Sequence, residues 1–394
     1  MNLVIIQNLL WLSIIAGIIF LLRLLRKGKR ETIIQELILG IILGNLMLVG
    51  IPLFEPFRRS QFFTEISEIT IAFFLFRIGF STSLRKMKDV GLRAFFVASV
   101  GVIATFMLGL LCIPLIIPGL RLIQYVFIAA ALTTTSVGIT AGILKELRKL
   151  ETHTSQIILG AAIIDDILSL IILSLITTRL NSNLTSVTSI DLGIVKIVLF
   201  IVGGVALGKV AAKILPRFLY RIYPRIGTKI IIAFCFFFVF FLGSKIIGIS
   251  SIVGAFIGGL VLEKHNFIGY KQELHGKQVE STIEWVSART VPFFFVLTGA
   301  QMDLSTLISF QTIPIACGLL IVAVIGKLAC GLAAGAHTNR WLVGLGMIPR
   351  GEVGLVFANI GLMSNIISPT IFSAIIIVVM ITTLTAPVLI QKVA

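Results

Sequence analysis

The 394-residue chain is 57% hydrophobic and 13% charged, with a mean hydropathy of +1.09. Soluble domains are about 45–50% apolar and about 25% charged, so the composition excludes an ordinary soluble protein and predicts an all-α polytopic membrane protein. The formal net charge of +16 does not indicate a nucleic-acid partner, because the basic residues lie in short loops between apolar runs, as positive-inside topology requires.

Apolar runs long enough to cross a bilayer follow one another along the whole chain, which we interpret as one integral membrane domain, 1–394. We place about thirteen spans, at 4–26, 32–51, 65–83, 91–117, 122–147, 155–178, 190–214, 227–243, 245–263, 281–301, 307–335, 340–364 and 369–391. Only Gly243-Ser244-Lys245 separates the eighth span from the ninth. One long kinked helix over 227–263 is therefore an alternative to two helices.

Basic residues are concentrated in the loops that follow odd-numbered spans, whereas the loops after even-numbered spans hold few. The positive-inside rule then predicts an N-terminus outside and a C-terminus on the cytoplasmic side. The Ile- and Phe-rich composition leaves two hosts open: a bacterial inner membrane, or an organelle membrane such as that of a plastid, with the C-terminus in the stroma.

A faint internal repeat relates the third span to the tenth. Phe73-Phe74-Leu75-Phe76-Arg77-Ile78-Gly79 in one corresponds to Phe293-Phe294-Phe295-Val296-Leu297-Thr298-Gly299 in the other. The two spans are seven apart, and an odd offset means opposite orientation in the membrane. Inverted repeats of this kind are a common build of secondary transporters, whose site lies between the repeats near the midplane.

The same offset pairs the fifth span with the twelfth, and both contain residues that interrupt a helix. The fifth span contains Thr133-Thr134-Thr135-Ser136, whose hydroxyls can satisfy backbone groups freed by a break. The twelfth contains Pro349-Arg350-Gly351-Glu352, in which proline removes a backbone donor and glycine loosens the chain. Two interrupted helices at corresponding positions indicate a transporter site.

Two adjacent carboxylates, Asp165 and Asp166, lie in the middle of the sixth span. A charge at the bilayer centre costs about 2.5–3.5 kcal/mol on the insertion scale, and two neighbouring carboxylates repel each other when both are ionised. The pattern therefore indicates a site for a cation and a proton, with a structural ion pair in a helix bundle as the alternative. Adjacent helical residues point about 100° apart, so one carboxylate can face a cavity while the other faces a helix.

Lys327 lies deep in the eleventh span, too far from either end to reach water, and needs a partner. We favour Asp165 as that partner, which leaves Asp166 as the carboxylate that alternates between a cation and a proton. A fixed, charge-balancing role for Lys327 is the alternative. Arg350 and Glu352 are two residues apart at the interruption of the twelfth span, where we expect structural charges that balance helix dipoles.

These residues resemble the monovalent cation:proton antiporter superfamily, and most closely its electrogenic double-aspartate branch, the NapA-type Na+/H+ antiporters. The resemblance rests on the run from Thr135 to Ala141, the run from Ile158 to Asp166, the pair Gly326-Lys327, and the run from Pro349 to Leu355, in that order. It covers nearly the whole chain.

The resemblance implies the Na+/H+ antiporter fold, a homodimer of thirteen-helix protomers with inverted repeats and two crossed broken helices. The core, ion-binding part is expected mainly at 91–178 and 307–391, and the dimerisation or scaffold part mainly at 1–83 and 190–301. The activity implied is exchange of protons for Na+ or Li+ across the bilayer, with two protons per sodium. No cofactor is expected beyond the transported ions.

Carried over by position, the resemblance makes Asp166 the cation and proton carboxylate and Asp165 with Lys327 the ion pair, so that both aspartates belong to the Na+ site. Thr135 and Ser136 lie at the helix crossing and are expected to help coordinate the cation. One region departs from the family, because Ser81 stands where an acidic residue is frequent, and Arg77 where an apolar one is expected.

Other transport functions stay open on the sequence alone. A K+/H+ antiporter of the same fold would use the same oxygen ligands. An organic-anion symporter of related architecture would need a roomier cavity, and a channel would conduct without counter-movement of protons. An enzyme is not expected, because the sequence contains no nucleotide-binding loop, metal-ligand cluster or nucleophile triad.

Overall fold

The computed structural model describes residues 32–46, 61–81, 84–181, 199–200, 203–215, 226–247, 250–262, 273–302, 309–335 and 338–394, together with residues 13, 17 and 304. Most of the first predicted span and the basic loop after it lie outside these residues. All regular secondary structure in the described ranges is helical, which confirms the all-α prediction.

Thirteen α-helices have bounds in the described part of the chain. They are α1 (Thr32–Gly44), α2 (Gln61–Ser81), α3 (Leu84–Ile116), α4 (Leu122–Ala131), α5 (Val137–Glu146), α6 (His153–Asn181), α7 (Ile226–Ile247), α8 (Ser251–Leu262), α9 (Glu273–Ala300), α10 (Thr312–Leu328), α11 (Arg340–Gly346), α12 (Glu352–Met363) and α13 (Pro369–Val393). Residues 203–215 are also helical, and a 3-10 helix, Ala329–Ala334, continues α10.

Five helical segments among the described residues are long and apolar enough to cross a membrane. They are Gly91–Ile116, His153–Ile176, Gly227–Ile247, Thr312–Ala334 and Pro369–Val393. The first begins at Gly91 because a break at that residue divides α3. A chain with several such membrane-spanning segments is an integral, multi-pass membrane protein.

Packing divides the chain into two compact units, 1–83 with 177–301 and 84–176 with 302–394. In the first unit, α8 packs against α2 and α7, and α9 packs against α1. The open question over 227–263 is thereby answered, since α7 and α8 are separate helices in mutual contact. Which unit binds ions and which one dimerises stays a prediction.

Aromatic rings pack the described helices of the first unit against each other. Phe237 of α7 packs edge-on against Phe73 and Phe76 of α2, at ring-centroid distances of 5.2 and 5.5 Å. The Arg77 guanidinium lies over the Phe74 ring of its own helix, 5.1 Å from the centroid. The side chain of Arg77 thus covers an aromatic face, an arrangement that the sequence left undecided.

In the second unit, α10 packs against α3 and α13, and α12 packs against α13 and α4. A buried apolar cluster joins α6 to the surrounding helices through small residues, among them Ala161, Ala162 and Ala98. Two helix starts are fixed locally: Asn339 Oδ1 accepts from the Leu342 amide, and Ser368 caps α13. This framework carries the residues that the sequence singled out.

Candidate functional site

Two helices of the second unit are interrupted where the sequence predicts. Non-helical residues 132–136 separate α4 from α5, and residues 347–351 separate α11 from α12. The Ser136 amide donates to the Pro349 carbonyl with an N···O distance of 2.8 Å, so the two segments lie against each other. The predicted pair of crossed, broken helices is confirmed.

Threonine hydroxyls satisfy backbone carbonyls at these interruptions. Thr135 Oγ1 donates to the Met347 carbonyl at 3.0 Å, and Thr140 Oγ1 donates to the Gly346 carbonyl at 2.7 Å. An interrupted helix leaves carbonyls without an amide partner, and the apolar part of a bilayer offers no water to replace it. The run of hydroxyl residues therefore stabilises a break that an apolar sequence could not maintain.

Glycine is required at position 351 by the closeness of the crossing. A Cβ atom at Gly351 would lie 2.7 Å from Ser136 Oγ and 2.9 Å from Ser136 Cβ. Carbon atoms normally approach no closer than about 3.5 Å. A side chain at this position would push the two segments apart.

Arg350 ties three parts of the unit together from a fully buried position, with 1% of its surface exposed. Its Nη1 donates to the Thr134 carbonyl at 2.6 Å, and its Nη2 donates to the Ala323 carbonyl of α10 at 3.2 Å. The Thr383 hydroxyl of α13 donates to the Arg350 carbonyl. The guanidinium is thus a fixed positive charge that balances carbonyls at the helix break.

Lys327 and Asp165 form an ion pair in the interior. Lys327 Nζ lies 2.5 Å from Asp165 Oδ1, and both side chains have no exposed surface. The second oxygen, Asp165 Oδ2, has no partner within strict hydrogen-bond geometry among the described residues, although the Thr135 side chain also interacts with this carboxylate. Asp165 thus has one carboxylate oxygen engaged with an ammonium and one with unused acceptor capacity.

Close helix packing positions Lys327. A Cβ atom at Gly326 would lie 2.6 Å from Thr105 Oγ1 of α3, so glycine lets α10 approach α3 directly beside the lysine. At the start of the following 3-10 helix, Cys330 Sγ donates to the Lys327 carbonyl at 2.7 Å. The backbone that carries the ammonium is therefore held on both sides.

Asp166 occupies the next position on α6 and is 5% exposed. It points about 100° away from Asp165 around the helix axis. Thr133 Oγ1 and Ser169 Oγ lie 3.2 Å apart, with Ser169 three residues beyond Asp166 on the same helix. The carboxylate is therefore buried on a face of α6 where further oxygen-bearing side chains stand.

Four buried side chains of this unit carry charge and balance in number: Asp165, Asp166, Lys327 and Arg350. Asp165 interacts electrostatically with both Lys327 and Arg350. With Asp166 ionised as well, two carboxylates face two cations, and the sum is zero. Binding of a proton or of a monovalent cation at Asp166 therefore changes the charge of this cluster by the same amount.

The structure places three further residues near the predicted site, and it leaves one predicted residue untested. Ser169, Thr133 and Cys330 were not among the predicted site residues, although a serine one helical turn after the paired aspartates is a detectable signal. The predicted role of Glu352 falls outside the described residues, since only its backbone is described, at the start of α12.

Residues 12–393 match the family described as "Sodium/hydrogen exchanger, transmembrane". The chain belongs to this family. It is accordingly a membrane transporter and not an enzyme, as the sequence predicted. Among solved structures, the chain is similar to the sodium proton antiporter MjNhaP1 from Methanocaldococcus jannaschii, with a TM-score of 0.71 over 99% of both chains and 18% identity. That likeness confirms the predicted antiporter fold.

Two relatives extend the family match. The high-affinity Na+/H+ antiporter NhaS3 of Synechocystis sp. is 35% identical over 336 residues, which span 84% of this chain and 71% of the relative. The Na+/H+-K+ antiporter GerN of Bacillus cereus is 30% identical over 367 residues, 91% of this chain and 88% of the relative.

Proposed function

We propose that this protein exchanges Na+ or Li+ for protons across a membrane, by alternating access of a carboxylate site centred on Asp166. The observation that carries the proposal is the buried Asp165–Lys327 ion pair next to Asp166, in the unit with the two interrupted helices. Two acidic side chains and a lysine inside an apolar bundle cost stability. Ion transport is the function that explains their retention.

Exchange follows from competition at one carboxylate. Asp166 can hold a proton or a monovalent cation, but not both, so binding of either expels the other. Thr135 and Ser136, at the crossing of the interrupted helices, supply hydroxyl and backbone oxygens toward the cation. Alternating exposure of the site to the two sides then couples the cation gradient to the proton gradient.

The second carboxylate sets the number of protons exchanged. When a cation enters, Asp165 turns toward it and Lys327 loses its counter-ion. Release of a proton from Lys327 removes the uncompensated buried charge. One cation then replaces one proton on Asp166 and one on Lys327, and the exchange is electrogenic, as in the NapA-type, double-aspartate branch.

Further features of the proposal come from the family resemblance and the charge pattern. The protein acts as a homodimer, with the ion-binding part mainly at 91–178 and 307–391 and the dimerisation part mainly at 1–83 and 190–301. Arg350 and Glu352 act as structural charges. The N-terminus lies outside and the C-terminus on the cytoplasmic or stromal side, in a bacterial inner membrane or a plastid membrane.

K+/H+ exchange on the same site is the second candidate. GerN, which this chain matches over 91% of its length, is known as an Na+/H+-K+ antiporter. Carboxylate, hydroxyl and carbonyl oxygens bind both ions, and the choice depends on the number of ligands and their field strength.

The test is proton flux in sealed proteoliposomes that hold an acid-inside pH gradient, with Na+, Li+ and K+ added separately outside. We expect Na+ and Li+ to dissipate the gradient, at a rate that changes when a membrane potential is imposed. A response to K+ alone would leave the mechanism and change the substrate. The absence of any response from correctly inserted protein would refute the proposed function.

A further inference from the structure

Two hydroxyl groups meet close to the paired carboxylates and have no part in the exchange cycle described above. Thr133 Oγ1 and Ser169 Oγ lie 3.2 Å apart, and both side chains are fully buried. Thr133 belongs to the interruption after α4, and Ser169 belongs to α6. The contact therefore joins the two elements that carry Thr135 and Asp166.

The helical register places Ser169 on the carboxylate side of α6. It follows Asp165 by four residues and Asp166 by three. At about 100° per residue it lies within about 60° of both positions around the axis. Residues at this spacing have Cβ atoms about 5–6 Å apart, a separation that one ion can bridge by binding an oxygen of each side chain.

Proton counting shows that both hydroxyls present acceptor lone pairs. Thr133 Oγ1 donates its single proton to the Ala130 carbonyl at 2.8 Å. In the contact at 3.2 Å, Ser169 must then be the donor and Thr133 the acceptor. A hydroxyl that donates its proton keeps its lone pairs, so both oxygens resemble carbonyls in what they offer a cation.

Packing alone does not require hydroxyls here. Burying a hydroxyl costs free energy that its hydrogen bond only offsets. Valine in place of Thr133 and alanine in place of Ser169 would fill nearly the same space without that cost. The neighbouring buried residues of α6, such as Leu170 and Leu173, are apolar. The hydroxyl pair is thus a buried polar contact beside two charged side chains.

We propose that Thr133 and Ser169 ligate the transported cation beside Asp166 and favour Na+ over K+. This inference rests on the proposed function. Dehydration costs more free energy for Na+ than for K+, because the smaller ion holds its water more strongly. A protein oxygen close to the ion therefore recovers more of that free energy for Na+ than for K+. Losing one hydroxyl should therefore weaken Na+ binding more than K+ binding, while Asp166 still carries the proton.

The test compares Ser169→Ala and Thr133→Val with the wild type in proteoliposomes, using Na+ and K+ as the probes and measuring KM and maximal rate at fixed pH. We expect KM for Na+ to rise about tenfold in each variant, which corresponds to about 1.4 kcal/mol. The maximal rate should stay within about twofold. K+ is measured both as a substrate and as a competitor of Na+. Its KM and its inhibition constant should each change by less than about threefold. Thr133→Ser, which keeps the oxygen, should restore the wild-type KM.

Ser174→Ala is the matched control. Ser174 is also buried on α6, but it points about 140° away from Ser169 around the helix axis, so its removal should leave both constants unchanged. A KM for Na+ within twofold of the wild type in both test variants overturns the inference, as does an equal rise for Na+ and K+. Thr133→Val keeps the side-chain shape and serves if Ser169→Ala does not insert. A wild type that is inactive with every cation refutes the proposed function instead.

Discussion

The first compact unit holds an ion pair between Lys245 and Glu68, and the second holds one between Lys327 and Asp165. In the first pair the N···O distance is 3.5 Å and the side chains are 60% and 29% exposed. Ser251 also donates to Glu68, at 2.5 Å. In the second pair the distance is 2.5 Å and neither side chain is exposed.

Identical chemistry thus has different consequences in the two places. An exposed lysine–carboxylate pair contributes about 0–1 kcal/mol to stability, so the first pair needs no function beyond local packing. Burial costs each ion several kcal/mol, and a buried pair is weak evidence for stability. The proposed function gives the second pair a reason other than stability, since its charges take part in ion exchange, whereas the first pair needs no such role.

The largest effect is expected from Asp166→Asn, which keeps the side-chain size but removes the exchangeable proton and the negative charge. Na+-driven proton flux should fall by about 100-fold or more, since the carboxylate at which proton and cation compete is lost. Flux in proteoliposomes measures this, with the amount of inserted protein as the control. Exchange at the wild-type rate would remove Asp166 from the mechanism.

Lys327→Met should be the most destabilising change at the buried pair. It leaves the Asp165 carboxylate buried without its ammonium, which costs about 3–5 kcal/mol. The double variant Asp165→Asn/Lys327→Met should recover most of that loss, because no buried charge is stranded. Thermal unfolding in detergent compares the two, and a double variant less stable than the single one would contradict the account.

Arg350→Gln should have the next largest effect. The substitution removes charged hydrogen bonds to the carbonyls of Thr134 and Ala323, which contribute about 1.5–3 kcal/mol each. We expect a lower Tm and a clear loss of flux, because the interruption after α4 loses its tie to α10. Arg350→Lys keeps the charge but not the two-pronged geometry, and an unchanged Tm in both variants would show that the charge has no structural role.

Gly351→Ala should destabilise by about 1–3 kcal/mol, the usual cost of inserting a methyl group into a packed site. The added methyl group would meet the Ser136 side chain at the helix crossing. Combining it with Ser136→Gly removes the atoms that clash, so the Tm should return toward that of Ser136→Gly alone. Strictly additive losses would place the strain elsewhere.

The smallest effect is expected from Lys245→Ala in the exposed pair. Its loss should change stability by less than about 1 kcal/mol, and flux by less than about twofold, at low and at high salt. Thermal unfolding and proton flux run beside Lys327→Met check this. Equal damage from the two lysine variants would erase the distinction between the pairs.

Local chemistry explains which parts of this architecture were predictable from sequence. Both breaks could be placed, because the hydroxyls before Val137 can satisfy backbone groups freed by a break, and the proline with glycine before Glu352 weakens a helix. Lys327 was assigned a carboxylate partner because a charge inside a bilayer requires one. The separation of α7 from α8 was left open, and the division considered at residues 243–245 was wrong, because these residues lie inside α7, which ends at Ile247.

Other features depend on tertiary contacts that no local pattern encodes. Arg350 binds backbone carbonyls of Thr134 and Ala323, and every residue has a carbonyl, so its partners could not be chosen from sequence. The Thr133–Ser169 contact joins residues on two elements through hydroxyls that are common in membrane helices. Placing Arg77 over Phe74 likewise required coordinates.

The most direct test of the central claim is the number of protons released per Na+ bound, measured by calorimetry on purified protein in buffers of different ionisation enthalpy. The account predicts about two protons for the wild type, about one for the double variant Asp165→Asn/Lys327→Met, which leaves no stranded carboxylate to take up a proton, and none for Asp166→Asn, which should not bind Na+. Na+ binding to the wild type without proton release would contradict competition at Asp166, and the same count in the wild type and the double variant would remove the Asp165–Lys327 pair as a proton carrier.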